Sequence, residues 1–259
     1  MCLLLFSYKL HPNYRLVIAA NRDEFFERPT RRLDFWDDMP QILAGRDLKD
    51  SGTWLGVTRS GRIAALTNFR DPASIKEQAP SRGLLVSNYL EGNQAPQDYL
   101  EQIKSAGQVY NGFNLLTGDK NELYYYSNIN NEIQKIKPGL YGVSNHLLDT
   151  PWPKVEKGKA DFKALIEEKK TIKPEDIFNV LNNRSRPADD KLPHTGVSLE
   201  WERMLAAIFI TSKEYGTRSS SAILMEKTGR LTFAERTFIP QSSGSIKPLT
   251  VKFSFDIDL

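Results

Sequence analysis

The chain has 259 residues, and its 35 Lys and Arg against 32 Asp and Glu give a formal net charge of +3. The opposite charges are interspersed, which argues against nucleic acid as a partner. A chain of this length can bury a sizeable core, and we predict one α+β domain over residues 1–259.

No targeting or membrane segment is predicted. The apolar segment after Cys2 is four residues long, shorter than the core of a signal peptide, and no run approaches the ~20 apolar residues of a membrane span. With one cysteine the chain has no intrachain disulfide. Its three scattered histidines show no metal-site spacing. We therefore expect a cytoplasmic protein with no integral membrane segment, no metal and no resident cofactor.

A hairpin is predicted to open the chain. Residues 2–9 read as an apolar strand, His11-Pro12-Asn13 as a turn and residues 14–20 as a second strand. The second strand is predicted to end in the polar run of residues 21–24. Four consecutive polar residues after a buried strand indicate a site or a turn rather than core.

The rest of the sequence predicts short strands with two central helical blocks. Arg59-Ser60-Gly61 is a hairpin turn signal between two of the strands. Residues 182–199 read as a polar loop. The predicted strands are 53–58, 62–67, 114–118, 123–127, 133–136, 140–143, 207–212, 219–227, 231–238 and 247–255, and the predicted helical segments are 83–103 (broken between 92 and 96), 153–169 and 174–181. This order favours two antiparallel sheets covered by helices.

Cys2 directly follows the initiator Met1. A small residue at position two allows removal of the methionine, which would leave Cys2 with a free α-amine of pKa about 7.7–8.0 beside a thiol of pKa about 8.5. One residue would then carry both a nucleophile and its base. If Met1 is retained, the amine is an amide and this mechanism fails. The alternative is a small apolar residue at the start of a buried strand.

The antiparallel hairpin returns Asn21, Arg22 and Asp23 towards the start of the chain. A carboxylate there could hold an α-ammonium, and a guanidinium could favour a thiolate. Side chains alternate along a strand, so Asn21 and Asp23 face one way and Arg22 the other if the strand continues. The alternative is a surface turn with an Arg–Asp pair.

Five later residues complete the candidate set. Asn68 and Asn145 each follow a strand and could supply donors to an oxyanion, although turn asparagines are common. Arg218 could bind a substrate carboxylate or orient the nucleophile, or be an ordinary surface arginine. Trp54 lies between two glycines and could form the floor of an apolar pocket. His146 could be an acid, a base or a ligand. Asn21, Trp54 and His146 are the candidates for substrate binding.

Six motifs in chain order resemble the NRDE family. This is the family of the transport-and-Golgi-organisation proteins that carry the number two. The motifs are Met1-Cys2, Asn21-Arg22-Asp23-Glu24, Gly52-Thr53-Trp54-Leu55-Gly56, Thr67-Asn68-Phe69-Arg70, Gly142-Val143-Ser144-Asn145 and Gly216-Thr217-Arg218-Ser219. The family resembles N-terminal-nucleophile hydrolases. The resemblance implies a four-layer αββα sandwich.

The closer comparison is with the cysteine branch, the bile-salt hydrolases and penicillin V acylases. The resemblance implies that Cys2 is the nucleophile and that Arg22 and Asp23 are its neighbours. It also implies that Asn68, largely through its backbone, and Asn145 bind the oxyanion. Arg218 would match the arginine that the family carries late in the chain. In that branch Asp follows Arg by three residues, whereas here the two are adjacent, so Asn21 could share the role of Asp23. The substrate would be a small acyl amide or thioester.

A second hypothesis is a non-catalytic protein that binds or traffics haem or an acyl lipid in the same cavity. It is motivated by the association of the family's eukaryotic relatives with lipid metabolism and haem trafficking. Cys2, His146 and His194 are the candidate haem ligands. The sequence does not determine the oligomeric state.

Overall fold

Two antiparallel sheets form the centre of the molecule in the computed structural model, which describes residues 3–240 and 246–257. The six-stranded sheet has the spatial order β10 (Gly139–Val143), β1 (Leu3–Tyr8), β2 (Tyr14–Phe25), β11 (Tyr215–Glu226), β12 (Arg230–Pro240) and β13 (Ile246–Asp256). The seven-stranded sheet has the order β3 (Thr30–Phe35), β4 (Ile42–Asp47), β5 (Leu55–Thr58), β6 (Ile63–Asn68), β7 (Phe113–Gly118), β8 (Leu123–Ser127) and β9 (Glu132–Lys135).

Helices cover the outer face of each sheet. α1 (Gly83–Glu91) and α2 (Pro96–Ala106) pack on the seven-stranded sheet, and α3 (Pro153–Glu168) and α4 (Pro174–Leu181) pack on the six-stranded sheet. A short helix, α5 (Leu199–Leu205), precedes β11. The order of layers is helix, sheet, sheet, helix, and the predicted α+β sandwich is confirmed.

Strand alternation explains how one apolar strand serves two cores. In β1, Leu4 and Phe6 point into the core between the sheets, while Leu3 and Leu5 point into the core beneath α3 and α4. A third core fills the space between the seven-stranded sheet and α1 and α2. Strand β1 of the six-stranded sheet is therefore buried on both faces, which accounts for its continuous apolar run.

The predicted end of the second strand at Ala20 is wrong. β2 continues to Phe25, and β11 pairs with it along the polar run, with partners from Ser220 opposite Asn21 to Tyr215 opposite Phe25. The polar side chains can be buried here because β11 and the seven-stranded sheet provide hydrogen-bonding partners.

Other elements differ from the sequence prediction. Strands β3 and β4 and helix α5 were not predicted, and residues 207–212, predicted as a strand, form no strand. Residues 207–210 are nevertheless buried, and their backbone is satisfied locally, with the Phe209 N–H donating to the Asn183 carbonyl. The apolar pattern of this segment therefore predicted burial correctly, but its prediction of pairing in a β-sheet was wrong. Strands and helices elsewhere match the prediction within a few residues. Within the described residues, no helix is both long and apolar enough to cross a membrane.

Candidate active site

The start of β1 lies beside the polar part of β2. Leu3 pairs with Asn21 in the antiparallel ladder, so Arg22 and Asp23 follow directly at the end of the sheet where β1 begins. Cys2, the predicted nucleophile, lies outside the described residues. The fold thus brings the predicted polar neighbours to the end of the sheet from which the chain starts.

Arg22 points between the two sheets and is 5% exposed. Its Nη2 lies 3.2 Å from Oδ2 of Asp47, its Nη1 donates to Thr30 Oγ1 at 3.2 Å, and its Cζ lies 4.2 Å from the centre of the Trp54 ring. Burial lowers the pKa of the guanidinium, although nearby carboxylates oppose the shift. The guanidinium is held in one orientation by an ion pair, a hydroxyl and an aromatic face.

Asn21 and Asp23 point to the opposite side of β2 from Arg22. The Asn21 amide donates to the carbonyls of Leu181 and Ile208 at 3.0 and 2.8 Å, and its Oδ1 accepts from the Ser220 hydroxyl. Asn21 is fully buried and ties the sheet to the segments around α4 and α5. The Oδ1 of Asp23 accepts a 2.6 Å hydrogen bond from Thr217 on β11. This alternation follows the prediction for a continuing strand.

Asn68 and Asn145 meet across the end of the sandwich. The Asn145 Nδ2 donates to the Asn68 carbonyl at 3.0 Å, and the Asn145 Oδ1 accepts from Arg70 Nη2 at 3.2 Å. Arg70 in turn forms a buried ion pair with Glu202 of α5 at 3.0 Å. The two predicted oxyanion residues therefore belong to one hydrogen-bonded cluster, which is held in place by an arginine that the sequence analysis left out.

Two cavities meet at this cluster. The first, of about 220 Å³, has a wall rich in charged groups, including Arg22, Arg28 and Asp47, and the same wall contains Trp54 and Asn68. The second, of about 300 Å³, is more apolar and shares Asn68, Arg82 and Asn111 with the first. Its apolar wall contains Phe69, Pro72, Ile75, Ile129 and Leu205. A polar chamber and an apolar chamber thus join at Asn68.

Arg218 lies at a third, 270 Å³ cavity, which also has Arg22 and Trp54 in its wall. Its Nη1 donates to the carbonyls of Phe25 and Arg28 at 2.7 and 3.0 Å. Burial lowers the pKa of this guanidinium. Arg218 therefore fixes the turn after β2 as well as contributing positive charge beside Arg22.

The two histidines considered as haem ligands lie in different settings. The His146 ring packs against Phe69 and Trp152, and its Nδ1 lies 2.8 Å from the Thr150 hydroxyl. Burial lowers its pKa. His194 is exposed in the loop before α5. Across the described residues, no group of three or more His, Cys, Asp or Glu is arranged to hold a metal ion. Haem ligation stays a prediction.

Asp47 is a central residue of the site that the sequence analysis missed. Its Oδ2 accepts from Arg28 Nε at 2.6 Å as well as from Arg22, and its Oδ1 accepts from the backbone N–H groups of Lys49 and Asp50. Burial acts to raise the pKa of this carboxyl, but the hydrogen bonds and positive charges outweigh burial and hold the pKa below its usual value. A carboxylate at the end of an apolar strand was the available signal, and it depended on recognising β4.

Glu235 is the second missed residue, and it is buried between the sheets in the wall of the third cavity. Its Oε1 accepts from the Leu33 backbone N–H at 2.8 Å, which links β12 to β3. Burial raises the pKa of the carboxyl, against the opposing effect of that hydrogen bond and of the Arg22 charge. The folded protein therefore favours protonated Glu235 more than the unfolded chain does.

We expect Glu235→Gln to raise the free energy of unfolding at pH 7. Because the folded-state pKa is raised, ionisation of Glu235 costs stability as the pH rises above the unfolded value of about 4.3. Glutamine keeps an oxygen for the Leu33 N–H without that cost. Urea unfolding at pH 7 and pH 4 measures the effect, and the advantage of the variant should vanish at the lower pH. Equal stabilisation at both values would contradict the assignment.

Solved structures with the same architecture are N-terminal-nucleophile hydrolases. An N-acylethanolamine-hydrolyzing acid amidase orthologue from Caenorhabditis elegans superposes with a TM-score of 0.52 at 11% identity, covering 86% of this chain and 92% of that one. A mutant conjugated bile acid hydrolase from Clostridium perfringens superposes with a TM-score of 0.50 at 10% identity, covering 100% and 97%. At these identities the likeness concerns the fold alone.

Sequence relatives extend over nearly the whole chain. The Transport and Golgi organization protein 2 homolog of Homo sapiens is 35% identical, covering 98% of this chain and 99% of its own length. The homolog of Mus musculus is 33% identical with the same coverage, and the Drosophila melanogaster protein is 26% identical over 92% of each chain. The model of the family described as Transport and Golgi organisation 2 matches residues 1–240. The chain belongs to the Transport and Golgi organisation 2 family, as its six motifs predicted.

Proposed function

We propose that this protein is a cysteine-type N-terminal-nucleophile hydrolase that cleaves a small acyl amide or thioester, with Cys2 as nucleophile after removal of Met1. The observation that supports it most is the pairing of Leu3 with Asn21. Consecutive Cα atoms are about 3.8 Å apart, so covalent connectivity keeps Cys2 close to this polar end of β2. The hydrolase fold of the structural neighbours adds independent support.

The chemistry begins with the thiol of Cys2 passing its proton to its own α-amine. The sulfur then bonds to the substrate carbonyl carbon, and the oxygen becomes an oxyanion. When the intermediate collapses, the C–N bond of an amide substrate breaks and the leaving amine takes the proton from the α-ammonium; for a thioester substrate the C–S bond breaks and the leaving thiolate takes that proton. Water next attacks the thioester, releasing a carboxylic acid and restoring the thiol. No oxidant, reductant or metal is needed for this sequence.

Arg22 and Asp23 would have complementary roles in this reaction. Arg22 is a buried cation whose position is fixed by Asp47 and Trp54, and a fixed cation lowers the pKa of a nearby thiol. Asp23 is a buried carboxylate hydrogen-bonded through Oδ1 to Thr217. A carboxylate there would orient an α-ammonium and stabilise its charge. Asn21 is engaged with three groups of the fold, which favours Asp23 over Asn21 for that role.

The oxyanion would be stabilised at the junction of the two cavities. Asn68 lies in the walls of both, and its side-chain amide makes no hydrogen bond to another residue of 3–240 or 246–257. Asn145 contacts the Asn68 carbonyl and is braced by Arg70. Amide donors held in place before the reaction can stabilise the developing charge without reorganising.

The two chambers suit a substrate with one apolar and one polar part. An apolar acyl group would occupy the chamber lined by Phe69, Ile75 and Ile129, and the scissile carbonyl would lie near Asn68. A polar leaving group would then extend into the chamber with Arg22 and Arg28. The expected substrates are therefore amides or thioesters that join a short or medium acyl chain to a polar amine or thiol.

A charge in the apolar chamber should change acyl-chain preference. Ile75 is 65% exposed at the rim of that chamber, so Ile75→Asp should leave the fold intact. We expect KM to rise by roughly tenfold for an eight-carbon acyl substrate, with little change for acetyl, because a carboxylate disfavours apolar contact. Leu10→Asp is the matched control, since Leu10 is similarly exposed on the turn after β1, away from this chamber.

Steady-state kinetics on a panel of acyl amides and thioesters, from two to twelve carbons, test this proposal. The expected result is turnover that peaks at an intermediate chain length and is insensitive to EDTA. A panel with no turnover above buffer by methionine-free protein would reject the hydrolase. An equal KM increase for Ile75→Asp and Leu10→Asp would instead reject the assignment of the acyl chamber.

A further inference from the structure

A separate cleft of about 540 Å³ lies on the helix-covered side of the six-stranded sheet. It is formed by the start of α3, the loop at residues 185–191 and the segment after α5. It shares no wall residue with the two chambers that meet at Asn68. Ile208, in its wall, is the residue whose carbonyl accepts from Asn21. The cleft therefore lies across β2 from the space occupied by Arg22.

Positive charge dominates the wall of this cleft. Its charged residues are four cations, Lys154, Lys157, Arg186 and Lys191, with the single carboxylate of Glu156. They come from two separate segments of the chain, so the charge converges through the fold rather than through a basic run in the sequence. Convergent cations in a concave site concentrate the field on a bound anion.

The cations differ in how far they are already paired. Lys154, only 3% exposed, donates from Nζ to the Leu205 carbonyl at 2.9 Å, and Lys157 pairs with Asp161 at 2.5 Å. Arg186 and Lys191 are exposed and form no ion pair within residues 3–240 and 246–257. The neighbouring carboxylate of Asp189 is occupied by Arg203. Two unpaired cations thus stand at the rim, above a buried third cation.

We propose that this cleft binds a ligand that carries phosphate. A guanidinium and ammonium groups at one site match the charge and geometry of phosphate oxygens, and Arg186 offers bidentate hydrogen bonding. The cleft exceeds the volume of a single phosphate. Its remaining wall, which includes Pro151, Pro187 and Ala206, would contact the uncharged part of the ligand.

Isothermal titration of the full chain with pyrophosphate at 0.15 M salt tests the site. The double variant Arg186→Gln/Lys191→Gln should weaken binding by about tenfold or more, because it removes both unpaired rim cations. The matched control, Lys163→Gln/Lys170→Gln, removes the same formal charge from exposed residues outside the cleft. It should weaken binding by less than about threefold, since distant exposed charges are screened at this salt.

Co-sedimentation with vesicles distinguishes the source of the phosphate. Saturable pyrophosphate binding that the rim variant loses supports a soluble phosphorylated ligand. Binding confined to phosphatidic acid vesicles, absent with phosphatidylcholine and lost in the rim variant, supports the same site with a lipid headgroup. Failure to bind either probe, or equal weakening by both double variants, overturns the proposal. Because acyl-substrate turnover is measured separately, this outcome leaves the hydrolase proposal standing.

Discussion

Cys2→Ala is expected to reduce acyl hydrolysis by roughly 10³-fold or more, because it removes the sulfur that forms the acyl-enzyme. The substitution keeps a small residue at position two, so methionine removal should proceed as in the parent chain. Cys2 is the only cysteine in the sequence, and labelling by a thiol-reactive acyl probe therefore reports on this residue alone. The variant should take up no label.

Cys2→Ser is the matched variant for the same experiment. A hydroxyl has the same position and nearly the same size, but it ionises far less readily than a thiol. We expect low residual activity with an acyl-enzyme that is an ester. Free energies of unfolding of both variants within about 0.5 kcal/mol of the parent value would assign the loss of activity to chemistry. Undiminished turnover by Cys2→Ala would contradict the catalytic role.

Asp47→Asn should have the largest effect on the framework of the site. The substitution leaves Arg22 buried without the carboxylate that accepts from its Nη2, and it removes the charge that Arg28 contacts. Removing one partner of a largely buried ion pair costs more stability than removing one partner of an exposed pair. We therefore expect a loss of about 2–3 kcal/mol in the free energy of unfolding at pH 7. Turnover should also fall, because Arg22 loses its fixed orientation.

The control for Asp47 is Asp38→Asn. Asp38 also pairs with an arginine, Arg46, but in solvent, so its loss should change stability little. The folded-state pKa of Asp47 is depressed, so its contribution is present above the unfolded value of about 3.9 and is lost as the pH falls through the folded value. Urea unfolding should therefore give a difference between parent and Asp47→Asn that shrinks below pH 4. A difference that is constant with pH would contradict the ion-pair explanation.

The layered fold was accessible from sequence because most of its elements carry strong local signals. Alternating and continuous apolar runs predicted the strands, and the Arg59-Ser60-Gly61 turn lies between β5 and β6 as expected. β3 and β4 were not predicted because each is only six residues long and contains charged residues beside few apolar ones. Residues 207–210 misled because burial in an irregular segment and burial in a strand give the same apolar pattern.

The candidate site could be predicted from the sequence only in part, for a related reason. Asn68 and Asn145 could be proposed because each follows a predicted strand, and the fold brings the Asn145 side-chain amide to the Asn68 carbonyl. Asp47 and Glu235 could not, since their importance depends on contacts between the two sheets: Asp47 with Arg22, and Glu235 with Leu33. No sequence spacing encodes a contact between residues about 200 positions apart. Partners across the sandwich therefore require the tertiary structure.

The most direct measurement is the intact mass of the protein trapped during turnover. After a brief reaction with a slow thioester or amide substrate and an acid quench, the proposal predicts a chain that lacks Met1 and carries one acyl group. Peptide mapping should place that group on the sulfur of Cys2, with the α-amine free. Full activity in protein that retains Met1, or an acyl group on any other residue, would contradict the central claim.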